Sequence, residues 1–339
     1  MFRNAALLRK VSVFASVLMF AAIVIGCGSG GEDSASGHPT VKIAKPQDAV
    51  FDLALYAAVD LGYFERAGVN VEILEFEAGS NAANAYSGGA ADLAVLGTEH
   101  AVNMSREGRK SVVIAQLFDK HVYALAATAA SKIHDVKGLK GASVGITGFG
   151  SSTDTLLKWD LARNGMGPDD VSATAVGGVA SQMAALKSDQ ISAGMLTDPF
   201  VSMGVAAGDL NIVTDYRVVD FPMLALQGQP KYLNEHRDVT QKVVDGLVAA
   251  INDVAGNYDI ARQAYNARWA KKYKELNLSE DVVETMIRST QGIYAEGGLL
   301  EQDLYNQLLE ILDIAGVAEA SAQPPYDQIV DMSFVNAHR

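Results

Sequence analysis

The sequence predicts an α/β chain whose body is written as two lobes in series. Short β-branched or apolar runs alternate with longer helical stretches from residue 40 onward, and the same alternation starts again after residue 127. Beyond residue 224 the pattern turns helical, which adds a block with few strands of its own. Alternation of this kind argues for parallel-rich sheets covered by helices on both faces.

In the first half, residues 41–44 read as a strand. Residues 51–66 read as a helix with Leu53, Leu55, Ala58, Leu61 and Phe64 at helical spacing. Val69, Val71 and Ile73 alternate with polar residues as the next strand. A helix at 81–86, an apolar strand at 93–96, a helix at 101–106 and a strand at 112–115 follow, and the same alternation starts again after residues 123–127. The second half opens on Lys137-Gly138-Leu139-Lys140-Gly141, then gives a strand at 142–146, a helix at 151–163 and a strand at 171–176. A helix at 180–187 and strands at 191–196 and 211–213 complete it. In the last block Val244, Leu247, Val248, Ile251 and Val254 share one helical face, and later Leu304, Leu308, Ile311 and Leu312 do the same. Such a block must pack on something already built and is expected to return to the first lobe. The predicted lobes are residues 40–127 plus 222–339, and residues 128–221.

Ahead of the body, Arg3, Arg9 and Lys10 precede an apolar run of about 15 residues at 11–25, the layout of a secretory signal. That run falls short of the ~20 residues a helix needs to span a bilayer. It ends in Val24-Ile25-Gly26-Cys27, which resembles a lipoprotein lipobox, and Cys27 is the only cysteine in the chain. The resemblance implies a signal peptide over 1–26, with Cys27 lipidated, by palmitate among other acyl groups, as the new N-terminus. Residues 27–39 are rich in Gly and Ser and read as a flexible tether. Removing residues 1–26 takes three positive charges from a net charge of -13 and leaves -16. So acidic a body argues against nucleic acid, which rewards a basic face. With its one cysteine assigned to lipid, the body holds together by packing rather than disulfides, even at an oxidising address. No other stretch is apolar for long enough to cross a bilayer, so a soluble body is expected.

Four segments resemble a known family. Asp60-Leu61-Gly62-Tyr63-Phe64-Glu65-Arg66-Ala67-Gly68-Val69 is similar to a signature of solute-binding proteins in the nitrate, sulfonate and taurine group, which also includes binders of thiamine precursors. Residues 88–97, residues 135–141 with Val144-Gly145, and Thr197-Asp198-Pro199-Phe200 follow in that family's order. The resemblance implies a two-lobed periplasmic-binding-protein fold of type II with a hinged cleft, no catalysis, and an ABC permease with its ATPase as partners.

Ligands of open α/β sheets bind outside the carboxyl ends of strands. That rule selects the loops at 46–51, with Gln47, Asp48 and Phe51, and at 97–100, with Gly97, Thr98 and Glu99, in the first lobe. In the second it selects 148–153, with Gly150, Ser151, Ser152 and Thr153, and 198–200, with Asp198. Ser151, Ser152 and Thr153 place hydroxyls and free N–H groups where a helix begins, which suits an anion or polar oxygen; an ordinary N-cap is the alternative. Glu99 and Asp198 either meet an N–H-bearing ligand end or serve as first-turn acids of their helices. Phe51, Phe149 and Phe200 are candidate apolar walls, each equally suited to the core.

His100, His121, His134 and His236 come from separate elements without ligand spacing, so no metal is expected. No Gly-x-Ser-x-Gly or His-Glu-x-x-His motif appears, and no cofactor is expected. The expected function is an extracytoplasmic, lipid-anchored, monomeric solute-binding protein of an ABC importer, at the periplasm or cell surface. Its expected ligand is a sulfonate, amino sulfonate or nitrogen heterocycle. The alternatives are an enzyme on the same fold, with Glu99 or Asp198 as acid or base, or a ligand-sensing receptor subunit.

Overall fold

A computed structural model of the chain describes residues 37–338. The predicted signal segment, Cys27 and most of the tether lie outside the described residues.

The first sheet is ordered β2-β1-β3-β10-β4, from β1 (Thr40–Pro46), β2 (Asn70–Phe76), β3 (Leu93–Gly97), β4 (Val112–Gln116) and β10 (Leu224–Gly228). The second is ordered β7-β6-β8-β5-β9, from β5 (Ala124–Thr128), β6 (Ser143–Ile146), β7 (Ser172–Ala175), β8 (Ala193–Leu196) and β9 (Leu210–Asp215). Each sheet repeats one plan. Strands β1, β2 and β3 run parallel, as do β6, β7 and β8. One strand arriving from the other sheet then inserts antiparallel: β10 between β3 and β4, and β5 between β8 and β9. Both β3 and β10 are buried throughout, as strands covered on two faces must be.

Two expectations change here. Strand β5 belongs to the second sheet, so the chain leaves the first lobe before residue 124 and not at 127. The sequence pattern places no helix between residues 112–115 and 123–127, and it does not say which sheet either segment joins. Strand β10 lies where the pattern beyond residue 224 is expected to turn helical; Leu-Ala-Leu-Gln-Gly is a short, largely apolar run whose period cannot separate strand from buried helix.

The first lobe carries α1 (Leu53–Asp60), α2 (Tyr63–Arg66), α3 (Gly79–Ser87) and α4 (Thr98–Arg106). The second carries α5 (Ser152–Arg163), α6 (Val179–Lys187) and α7 (Phe200–Ala206). The final block is α8 (Pro230–Glu235), α9 (Arg237–Gly256), α10 (Tyr258–Lys272), α11 (Glu280–Gln291), α12 (Gln302–Ile314) and α13 (Tyr326–Ile329). Helix α1 is buried from Leu53 to Ala58 on every side, because α9 and α10 pack over it. The block therefore sits largely on the first lobe, as expected. It also reaches the second: α11 packs on α7 and α12 on α5. An amphipathic face announces that it will be buried, but not against what.

The two sheets are joined by two crossing segments, residues 117–123 and 216–223, which pair with each other. Lys120 and Asp220 form an antiparallel bridge with an ion pair of 3.0 Å. Phe221 N–H donates to Asp119 O at 2.9 Å, and Met223 N–H to Phe118 O at 3.0 Å. Between the segments His121 is wholly buried against Tyr123, Tyr216 and Phe221. The two crossings thus form a short paired ribbon between the sheets.

Candidate functional site

A cavity of about 150 Å³ lies between the two sheets, at the carboxyl ends of β1, β3, β6 and β8. Its size matches engineered cavities that hold a molecule of roughly benzene's size. Both lobes wall it, and so does the end of α10 through Lys272 and Tyr273.

Eight of the predicted residues meet at this cavity. Gln47, Asp48 and Phe51 line it from the loop after β1, Gly97 from the end of β3, Ser151, Ser152 and Thr153 from the start of α5, and Asp198 from the loop after β8. Three do not. Thr98 is buried beneath, its N–H donating to Met223 O at 2.7 Å and its hydroxyl 3.1 Å from Gln116 Oε1, which ties α4 to the second crossing segment. Gly150, at φ +72°, faces an outer groove and donates its N–H to Asp154 Oδ2 at 2.9 Å. Glu99 is fully buried but folds back over Gly97, where its carboxylate oxygens occupy the place a Cβ would take. Of the aromatic candidates, Phe51 and Phe200 line the cavity, whereas Phe149 is 63% exposed and forms no wall. Flanked by Gly148 and Gly150, it sits on a turn that leaves its ring in solvent.

The hydroxyls of the α5 loop largely satisfy each other. Ser151 Oγ donates to Gly148 O at 2.6 Å, Thr153 Oγ1 accepts Thr147 N–H at 2.9 Å, and Ser152 Oγ donates to the Glu99 carboxylate. What faces the ligand space is the first turn of the helix itself. The starts of α3, at Ala78 and Gly79, and of α6, at Gly178, Val179 and Ala180, reach the same cavity. Three helix N-termini thus converge, and neither α3 nor α6 has an acid in its first turn. Their exposed N–H groups and positive dipole ends favour an anionic or oxygen-bearing group.

Lys45, Asp48, Asp52, Asp198 and Lys272 around that space are paired. Lys45 Nζ, buried at the end of β1, donates to Asp52 Oδ2 at 2.9 Å and Pro46 O at 2.6 Å. Asp52 Oδ1 has no partner, and burial pushes the Asp52 carboxyl above its ordinary pKa against the pull of Lys45. Lys272 pairs with Asp48. Asp198 Oδ1 accepts Ser202 N–H at 2.9 Å, and Oδ2 lies 3.5 Å from Arg217 Nη1. His100 also faces the cavity; its Nε2 lies 3.8 Å from Glu99 Oε1 and makes no hydrogen bond.

Lys45, Asp52, His100 as a lining residue, and the α3 and α6 starts were not foreseen as site residues. The same carboxyl-end rule would have found the helix starts had it been applied to the loops after β2 and β7. Nothing in the sequence marks Lys45, because lysine in a strand is normally exposed. Among the described residues no group of three or more His, Cys, Asp or Glu is placed to hold a metal ion, and no helix is long and apolar enough to cross a membrane.

Two sheets of this order, joined by a paired double crossing around a shared cavity, define the two-lobed periplasmic-binding-protein fold. The chain belongs to the family described as NMT1/THI5 like, whose model matches residues 52–259. It is 23% identical over 301 residues to "Putative binding protein YtlA" of Bacillus subtilis (strain 168), covering 86% of this chain and 87% of that one. Its fold is similar to that of the alkanesulfonate-binding protein SsuA from Xanthomonas axonopodis pv. citri bound to MOPS, at a TM-score of 0.69 and 17% identity over 86% of this chain and 98% of that one. It is equally similar to the periplasmic nitrate-binding protein NrtA from Synechocystis PCC 6803, at 0.69 and 15% identity over 88% and 87%.

Proposed function

We propose that this protein is the extracytoplasmic solute-binding component of an ABC importer, and that it captures a small polar organic molecule by closing two lobes around it. The observation that carries this reading is the cavity walled by both lobes beside a paired double crossing. One molecule touching both walls binds the closed state better than the open one, which is the only way a ligand can shift such an equilibrium. YtlA, SsuA and NrtA support the reading through the binding their names state.

The cavity chemistry favours a ligand with two unlike ends. The converging N-termini of α3, α5 and α6 receive a sulfonate, carboxylate or carbonyl oxygen. Asp198 and the unpartnered Asp52 Oδ1 receive N–H groups. A sulfonate, an amino sulfonate or a nitrogen heterocycle with ring N–H donors fits this pairing better than a bare inorganic anion, which the carboxylates repel. Through Cys27 the protein is anchored as a lipoprotein on the outer side of a bacterial membrane, works as a monomer, and delivers its solute to a permease driven by an ATPase. The reading is tested by releasing bound small molecules from freshly purified protein, identifying them by mass spectrometry, and titrating each back by calorimetry. One-to-one binding of a two-ended solute supports it. Turnover of that solute into a new product would point to an enzyme instead.

A further inference from the structure

Glu99 is the one predicted ligand residue that the fold seals away while using it to bridge the lobes. It stands in the first turn of α4, in lobe one, and its Oε1 accepts the hydroxyl of Ser152, the first residue of α5 in lobe two. Its side chain is fully buried, and it is not part of the cavity wall. The carboxylate lies back against Gly97, the N-cap of α4, where it meets the positive end of its own helix. A resident anion thus links the starts of two helices belonging to different lobes. We infer that Glu99 is a positioning residue for solute capture, a latch on Ser152 that favours the closed arrangement without touching the solute.

The same geometry limits how hard the latch pulls. Oε2 of Glu99 is buried with no partner, so closure leaves one carboxylate oxygen dry while the other gains a charge-assisted hydrogen bond. Opening rehydrates both. The cost offsets only part of the gain, so the latch biases the equilibrium and leaves the solute to complete it. Glycine at 97 is part of the device, since any side chain there displaces the carboxylate. The latch rests on the two-lobed reading of capture, but its test needs no solute, so it can fail while that reading stands.

The test is the distance between nitroxide labels at Asn84 and Lys187, exposed positions on α3 and α6, in the chain carrying Cys27→Ser and stripped of small molecules. The parent is expected to show a short-distance population. Glu99→Ala, Ser152→Ala and Gly97→Ala are each expected to shift it toward longer distances by roughly tenfold in the closed-to-open ratio, the worth of a charge-assisted hydrogen bond. Glu99→Gln keeps an acceptor and is expected to fall between. The double variant Glu99→Ala with Ser152→Ala is expected to open no further than either single one, because the pair acts as a unit. Ser152→Ala removes only one hydroxyl and stands in should Glu99→Ala fail to fold. Unchanged distances in Ser152→Ala, additive effects of the two substitutions, or a parent already fully open would overturn the latch.

Discussion

Lys45 and Asp52 form an ion pair of 2.9 Å at the wall of the cavity, with both side chains sealed from solvent. Lys45 leaves the carboxyl end of β1, and Asp52 begins the turn into α1, so the pair ties the strand to the most deeply buried helix of the first lobe. Breaking such a pair from one side leaves an unpaired buried charge, which typically costs about 3–5 kcal/mol. Lys45→Met alone is therefore expected to destabilise the protein by about that much in urea unfolding, whereas Lys45→Met with Asp52→Leu should recover most of the loss. A cost as large in the double variant as in the single one would show that the pair itself, and not the stranded charge, carries the stability.

His121 gives the paired crossing a defined acid response. Burial lowers its pKa to about 3, from about 6.5 in an unfolded chain, so the folded protein holds it neutral. Between those values the unfolded state binds the extra proton. The stability this contributes is present above pH 6.5 and is lost as pH falls, reaching about 4–5 kcal/mol near pH 3. Asp119, pushed up to about 6 by burial and by Asp220 and Glu301, works with the opposite sign: its folded state gains protons first, so its contribution falls as pH rises from about 4 to 6. His121→Phe is expected to flatten the loss of stability between pH 6.5 and 4 in denaturant unfolding. An unchanged slope would mean the paired crossing opens to water before His121 titrates.

Asp198 tests the ligand chemistry. Its oxygens hold Ser202 N–H and lie near Arg217, and a carboxylate has sites left for a further donor from the cavity. Asp198→Asn is expected to weaken binding of an N–H-bearing solute by about 2–5 kcal/mol, roughly 30-fold or more, in calorimetry. Equal affinity for that solute, or an inorganic anion as the tightest ligand, would leave only the helix N-termini as the recognising groups.

Cys27→Ser is expected to abolish incorporation of a fatty-acid analogue and to release the protein from membranes. A variant that still labels and still pellets with membranes is anchored by other means.

Much of this site could be read from residue order, because open α/β sheets put their ligand loops at one end of each parallel strand. That single rule brought Gln47, Gly97, Ser151 and Asp198, which lie far apart in sequence, to one cavity. It could not show which way a side chain turns: Glu99 folds inward over Gly97, and Phe149 points to solvent. Lys45 and Asp52 stayed hidden because a spacing of seven residues across a strand end has no periodic signature. The strand β10 stayed hidden because Leu-Ala-Leu-Gln-Gly, short and largely apolar, fits a strand and a buried helix equally well.

Closure of two lobes on one solute is the claim on which the functional account turns, and small-angle scattering tests it directly. The radius of gyration should fall when the stripped protein is saturated with the solute recovered from it, because both walls of the cavity must meet the same molecule. An unchanged radius at saturation would contradict capture by closure.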